Sequence, residues 1–160
     1  MLYIQTEKDY QAVVEEFSDM IYRTAYQNLM NTADAEDVVQ DVFIRLLRHR
    51  KKRFADKEHL RAWLLRVTIN RSRDYRRFVL RRKETEIPES LETHTETESL
   101  LEEIEELPEE DRTIVYLHYY ERYSIKEIAK IMGKNSNTVS SKLTRARKKL
   151  KTMLDMSGFL

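Results

Sequence analysis

Ser124 to Lys151 reads SIKEIAKIMGKNSNTVSSKLTRARKKLK, and this stretch decides the fold because it divides into two short helices around a tight turn. Ser124 and Glu127 form a capping box, in which each side chain takes a free backbone N–H at the helix start. Ile125, Ile128, Ala129 and Met132 then recur at helical spacing. Gly133 stops the helix, since glycine enters the left-handed conformation without steric cost. Small Ala129 lets a second helix come close, and Val139 is placed to plug that helix into the same core. The polar run from Lys134 to Thr138 supplies N-cap candidates. The helix beyond it carries Lys142, Arg145, Arg147, Lys148, Lys149 and Lys151, with no acid among them. This is the pattern of a DNA-reading helix-turn-helix; the plain alternative is a lysine-rich helix that keeps the protein soluble.

Outward from this motif, the 160 residues have room for one ordinary domain or two small ones. Two glycines and two prolines are too few to punctuate a sheet-rich chain, so an all-α fold is expected. No segment has the apolar length of a membrane helix, and MLYIQTEKDY lacks the charged-then-apolar order of a signal peptide. A cytoplasmic protein without membrane insertion is expected. With no cysteine there is no disulfide, thiolate zinc site or cysteine nucleophile, and His49, His59, His94 and His118 stand at no metal-ligand spacing. The chain also lacks a glycine-rich phosphate loop, a Gly-x-Ser-x-Gly elbow and an acid pair in an apolar setting. No enzyme activity, catalytic residue, metal or cofactor is expected.

The net charge of +1 conceals a strong segregation. Residues 1–44 hold 2 basic and 9 acidic side chains, 45–83 hold 16 and 3, 84–111 hold 0 and 13, and 112–160 hold 11 and 3. Two basic blocks separated by an acidic bridge point to a polyanionic partner, since the bridge repels itself and the blocks attract phosphate.

In the first block Val13, Val14, Phe17, Ile21, Ala25 and Leu29 follow one helical face, and Asn31 to Asp34 interrupt and recap the chain. The next helix buries Ala35, Val38, Val39, Val42, Phe43, Leu46 and Leu47, leaving Asp34, Asp37, Gln40, Asp41 and Arg48 outside. First-turn acids oppose the helix dipole, which accounts for Asp34, Glu36 and Asp37; Asp41 and Gln40 lie too far along for that reason. After an irregular basic stretch, HRKKRFADKEHL, a third helix is expected to bury Trp63, Leu64, Val67 and Phe78. Its other side carries Arg61, Arg66, Arg71, Arg73, Arg76 and Arg77 with Asn70 and Tyr75, near Phe54 and His59. Cations for phosphates, mixed with amides and aromatics for unpaired bases, make a surface for a single strand. Phe54 is open between core packing and stacking on a base.

Taken in order, DAEDVVQDVFIRLLR at 34–48, the run from Phe54 to Asn70 with LRAWLLRVTIN, LPEEDRTIVYLHYYERYSIKEIAKIMG at 107–133 and NTVSSKLTRARKKL at 137–150 resemble the extracytoplasmic-function sigma factors. These are promoter-specificity subunits of bacterial RNA polymerase. The resemblance covers nearly the full length. It implies two small helical domains joined by an acidic flexible linker: a region 2-like domain at 1–83 for core polymerase and the -10 element, a linker at 84–104, and a region 4-like helix-turn-helix domain at 105–160 for the -35 element. It also implies that Asp37, Gln40, Asp41 and Arg48 meet the polymerase clamp helices. Lys52, Arg53, Phe54, His59 and Arg61 are implied to capture the single-stranded -10 element, with Asn70 at the pocket for an extruded base and Arg71 and Arg73 beside it. Extruding a base costs a few kcal/mol of unstacking that such a pocket must recover. Thr138, Ser140, Ser141, Lys142, Thr144, Arg145 and Lys148 are implied to face the major groove of the duplex -35 element. Ser140 and Thr144 depart from the larger or basic residues frequent there, so the -35 sequence is not inherited with the family. An anti-sigma protein is implied as a further partner.

The acidic bridge reads as a solvated tether, as a nucleic-acid mimic in a basic polymerase channel, or as an autoinhibitory mask over the basic blocks. The competing function is a helix-turn-helix regulator that acts without core polymerase. The first block argues against it, because such a regulator has no use for an acidic clamp face followed by a single-strand surface.

Overall fold

The computed structural model describes residues 1–49, 53–83 and 102–157. Lys52 and the stretch 84–101, which holds most of the expected linker, lie outside the described residues. The chain divides into two compact units, Met1–Ile87 and Pro88–Leu160.

In the first unit a short strand β1 (Leu2–Tyr3) precedes helix α1 (Glu7–Leu29), helix α2 (Thr32–Arg48), strand β2 (Arg53–Phe54) and helix α3 (Lys57–Lys83). Thr6 caps α1: its hydroxyl oxygen accepts from the Asp9 N–H at 3.1 Å, and the Asp9 carboxylate accepts from the Thr6 N–H at 3.1 Å and the Gln5 N–H at 3.2 Å. Those backbone hydrogen bonds lower the Asp9 pKa. Met30 ends α1 in the left-handed region (φ 52°), and Asn31 caps α2 by accepting from the Asp34 N–H at 2.9 Å, so two residues turn the hairpin. The three helices pack on one another around Phe17, Ile21, Ala25, Val38, Val42, Leu46, Leu64, Leu65 and Ile69.

Two expectations about these faces are corrected. Leu47 of α2 is 48% exposed rather than buried, and Ile44 beside it is 43% exposed. Phe78 of α3 is likewise exposed, and the buried stripe of that helix is Leu60, Leu64, Leu65, Thr68, Ile69 and Ser72. Thr68 and Ser72 enter the core because each hydroxyl donates to the carbonyl one turn back, on Leu64 and Thr68, both at 2.7 Å. Thr24 of α1 does the same to Met20 at 2.8 Å.

The expected irregular stretch after α2 also differs. Leu2 pairs with Phe54 and Tyr3 with Arg53 in an antiparallel ladder, so the chain's first residues pin the basic segment. Strand alternation then sends Arg53 to solvent and Phe54 inward.

The described residues of the second unit form α4 (Glu102–Glu105), α5 (Glu109–Val115), a π-helical segment (Tyr116–Tyr120), α6 (Ile125–Met132) and α7 (Ser136–Ser157). Arg112 is buried, and its guanidinium donates to the Leu107 carbonyl at 2.6 Å and the Glu105 carbonyl at 3.3 Å, holding the turn before α5. Ser124 and Glu127 form the expected capping box, at 3.1 and 3.2 Å. Gly133 adopts φ 64°, and the Lys134 N–H closes the turn on the Ala129 carbonyl at 2.8 Å. The Asn135 side chain then accepts from the Asn137 N–H at 2.8 Å, opening α7. Val139, Leu143 and Ala146 of α7 join Ile128, Ala129 and Met132 of α6 in the core with Ile114 and Leu117.

Gly133 and Arg122 share the left-handed region, at φ 64° and 60°. A Cβ at Gly133 would meet nothing within 4 Å, so conformation alone requires the glycine. Gly133→Ala is expected to destabilise by about 1 kcal/mol, and Arg122→Gly to stabilise by about 0.5 kcal/mol, through relief of the same backbone penalty. Urea unfolding of the full chain checks both; shifts of the same sign would refute this explanation.

Candidate nucleic-acid interface

On α3, His59, Arg66, Asn70, Arg73 and Arg77 recur at helical spacing along one stripe, all exposed but the half-buried Arg73. Arg53 is exposed where β2 leads into that helix. The start of α3 is fixed by two local bonds: Asp56 accepts from the His59 N–H at 2.8 Å, and the Ala55 N–H donates to His59 Nδ1 at 2.9 Å. An Nδ1 that accepts leaves the Nε2–H of the neutral ring as the donor available outward. Arg61 lies half-buried against the Met20 sulfur, 3.4 Å away, with Glu58 at 3.9 Å.

Phe54 departs from its expected site role. Its ring is 1% exposed and packs against His49, His59 and Trp63, with centroids 5.9, 5.4 and 5.7 Å away. The ring is part of the core beneath the basic segment.

Arg71 departs as well. Its guanidinium pairs with Asp41 of α2 and lies 3.6 Å from Asp74, so the two residues expected to face different partners hold each other. One turn on, the Tyr75 hydroxyl donates to Asp34 at 3.1 Å and to Asp37 at 3.3 Å. Burial, with these two carboxylates beside it, pushes the Tyr75 pKa up to about 12. Asp37, Gln40 and Arg48 remain exposed on α2, flanking the apolar Ile44 and Leu47.

On α7 the buried line Val139, Leu143 and Ala146 fixes which way the helix faces. Opposite it Thr138, Ser141, Thr144, Arg145 and Lys148 are exposed, and Ser140 is half-buried with its carbonyl accepting from the Thr144 hydroxyl at 2.9 Å. This face carries short hydroxyl side chains towards the helix N-terminus and cations towards the C-terminus, a mixture suited to base edges and phosphates. The Lys142 ammonium turns to α5, 3.1 Å from Glu110 and 3.9 Å from Asp111. Glu110 also pairs with Lys134 of the turn at 2.5 Å. Burial would raise the Glu110 pKa, and the two lysines overcome this to leave it lowered.

A contact absent from the sequence reading is Arg147 with Tyr119, whose hydroxyl accepts from the guanidinium while the ring lies 5.5 Å beneath it. The aromatic run YLHYY was its available signal. Among the described residues no cluster of metal-ligating side chains occurs, and no helix is long and apolar enough to cross a membrane.

Each of the two units matches a known family model. Residues 13–82 match the family model described as Sigma-70 region 2, and residues 97–150 match Sigma-70, region 4. The chain is 31% identical over 139 residues to the RNA polymerase sigma factor SigV of Bacillus subtilis, covering 83% of each. It is 25% identical to the ECF RNA polymerase sigma factor SigW of the same organism, over 89% of this chain and 87% of that one. Its fold is similar to that of the sigma factor RpoE solved with the anti-sigma factor NepR from Bartonella quintana, with TM-score 0.78 and 21% identity over 92% of this chain and 98% of that chain.

The Tyr75 proton is held more tightly in the folded protein than at the ordinary tyrosine value of 10.0. The stability it contributes is therefore present in full below pH 10 and lost as pH rises through about 12. Replacing Asp34 and Asp37 with Asn is expected to bring the Tyr75 titration down towards 10, followed by the ring-carbon NMR shift of Tyr75; a midpoint unmoved from about 12 would show that the carboxylates contribute nothing.

Proposed function

The chain belongs to the sigma-70 family as an RNA polymerase sigma factor of the extracytoplasmic-function type, and we propose how its residues divide the work of promoter recognition. The observation that carries the division is the outward face of α7, where Thr138, Ser141, Thr144, Arg145 and Lys148 stand exposed opposite a fully buried line. These residues, with Ser140 at the edge, read the duplex -35 element. Lys142 is left out of this set because its ammonium is held by α5. Arg53, His59, Arg61, Asn70 and Arg73 bind the single-stranded -10 element, with Arg66 and Arg77 extending the same stripe; Lys52 belongs to the same group by its place in the chain. Phe54 supports that surface from beneath.

Asp37, Gln40 and Arg48, with the exposed Ile44 and Leu47 between them, meet core polymerase. Apolar side chains ringed by charge are the usual make-up of a reversible protein interface. Asp41 stands at the margin of this face, shared with Arg71. The first domain runs over 1–83 and the second over 105–160, with 84–104 as an acidic tether between them. The protein is a non-catalytic initiation subunit of the cytoplasm that carries no cofactor. An anti-sigma protein as partner is supported by the RpoE–NepR complex to which the fold is similar.

The experiment is reconstitution of the full chain with core polymerase on random genomic fragments. Promoter-dependent transcripts are expected, and failure to bind core would reject the reading in favour of a regulator that acts alone. Within the -35 set, Arg145→Ala should weaken binding at particular promoter positions by about 1–3 kcal/mol. Lys148→Ala should lower affinity uniformly and reduce the salt slope by about 1. Identical profiles for the two variants across a promoter panel would contradict the assignment.

A further inference from the structure

Glu110 pairs at once with the turn and with the second helix of the helix-turn-helix. Its two oxygens take different lysines, Lys134 at 2.5 Å and Lys142 at 3.1 Å, while Asp111 stands 3.9 Å from Lys142. The Glu110, Lys134 and Lys142 side chains are 27%, 32% and 22% exposed, which makes the pairing less screened than an open surface bridge. The lysines lie on either side of the N-terminus of α7, so their capture fixes where that end of the helix sits. It also pairs two positive charges that would otherwise stand uncancelled beside the hydroxyl side chains of α7, while Arg145, Arg147 and Lys148 remain exposed farther along.

We propose that Glu110 is a positioning residue for -35 recognition, one that orients α7 and withholds Lys134 and Lys142 from the DNA phosphates, so that binding depends on sequence more than on charge. This rests on the reading of α7 as the -35 helix. The chemistry is that of a polyelectrolyte. Each phosphate neutralised releases counterions whatever the base sequence, so an additional free lysine strengthens binding to every DNA alike and dilutes discrimination. The outward face reads with short side chains, Thr138, Ser141 and Thr144, which reach base edges when the helix lies in one orientation.

The test uses holoenzyme assembled from the full chain, measured by fluorescence anisotropy at several salt concentrations. The probes are a promoter fragment recovered by the transcription assay and the same fragment with its -35 region scrambled. Glu110→Gln is expected to raise affinity for the scrambled fragment, to steepen its log K against log salt slope by roughly 1–2, and to lower the promoter-to-scrambled ratio by roughly tenfold, the size of one lost base contact. Glu110→Asp, which keeps the charge, should restore most of the ratio. A role in folding alone predicts weaker binding to both fragments with an unchanged slope, and that result would overturn the proposal. The double variant Lys134→Gln with Lys142→Gln reports independently. It should keep the wild-type slope, and a flatter slope would show that these lysines already contact phosphate and would overturn the proposal without any dependence on Glu110 variants. Failure of the parent reading is seen separately, as wild-type protein that forms no holoenzyme or does not distinguish the two fragments.

Discussion

Crowding cations onto one face of a helix is tolerable when carboxylates of a neighbouring helix pair with some of them, and both units are organised around this constraint. In the first unit Asp41 of α2 holds Arg71 of α3, while Asp34 and Asp37 accept from Tyr75. In the second, Glu110 of α5 holds Lys134 and Lys142. Each pairing joins elements far apart in sequence, so it fixes the roll of a basic helix as well as its charge. An exposed ion pair contributes at most about 1 kcal/mol, so these contacts orient more than they stabilise. Stability comes from the apolar lines beneath, Leu60, Leu64 and Ile69 on α3 and Val139, Leu143 and Ala146 on α7.

What was legible in the sequence follows from the range of the interactions concerned. The capping box at Ser124, the stop at Gly133 and the plug at Val139 are set within a few residues, and the structure has all three. The hairpin of α1 and α2 was legible for the same reason, since Asn31 caps its own helix. The stripe of α3 was misjudged because Thr68 and Ser72 count as polar in any pattern, whereas a hydroxyl that donates one turn back presents a nearly apolar surface. The core therefore continues through Thr68 and Ser72, while Val67 is half-buried and Phe78 lies exposed. The burial of Phe54 depends on Leu2 and Tyr3 pairing with a strand about fifty residues later, and no local signal announces such a ladder. The same holds for Lys142, whose partner Glu110 lies 32 residues before it. The candidate site was thus legible in composition and helical face, and illegible wherever a tertiary ion pair withdrew a charged side chain from that face.

The π-helical segment adds a second device of this kind. Widening the turn from Tyr116 to Tyr120 lets the Tyr116 and Tyr120 rings stack at 5.2 Å, and leaves Tyr119 and Tyr120 exposed. Tyr119 then supports Arg147 of α7 from below. Arg147 is thereby restrained by an aromatic ring, a softer constraint than a carboxylate, because the ring leaves the full positive charge directed outward.

These two ways of holding a cation on α7 have opposite electrostatic effects. A carboxylate partner cancels the charge, and a tyrosine partner preserves it. Near the N-terminus of the helix, where Thr138, Ser141 and Thr144 are too short to search for a base edge, orientation must be exact to within a fraction of a side chain, and an uncancelled lysine there would draw the helix towards whichever phosphate lay nearest. Farther along, Arg147 and Lys148 stand exposed past Thr144, where a cation suits a phosphate more than a base edge. The carboxylates of α5 sit beside the first region and Tyr119 serves the second. On the proposed reading of α7 as the -35 helix, cancelled charge beside the hydroxyl side chains and preserved charge beyond them separate discrimination from attraction along one helix.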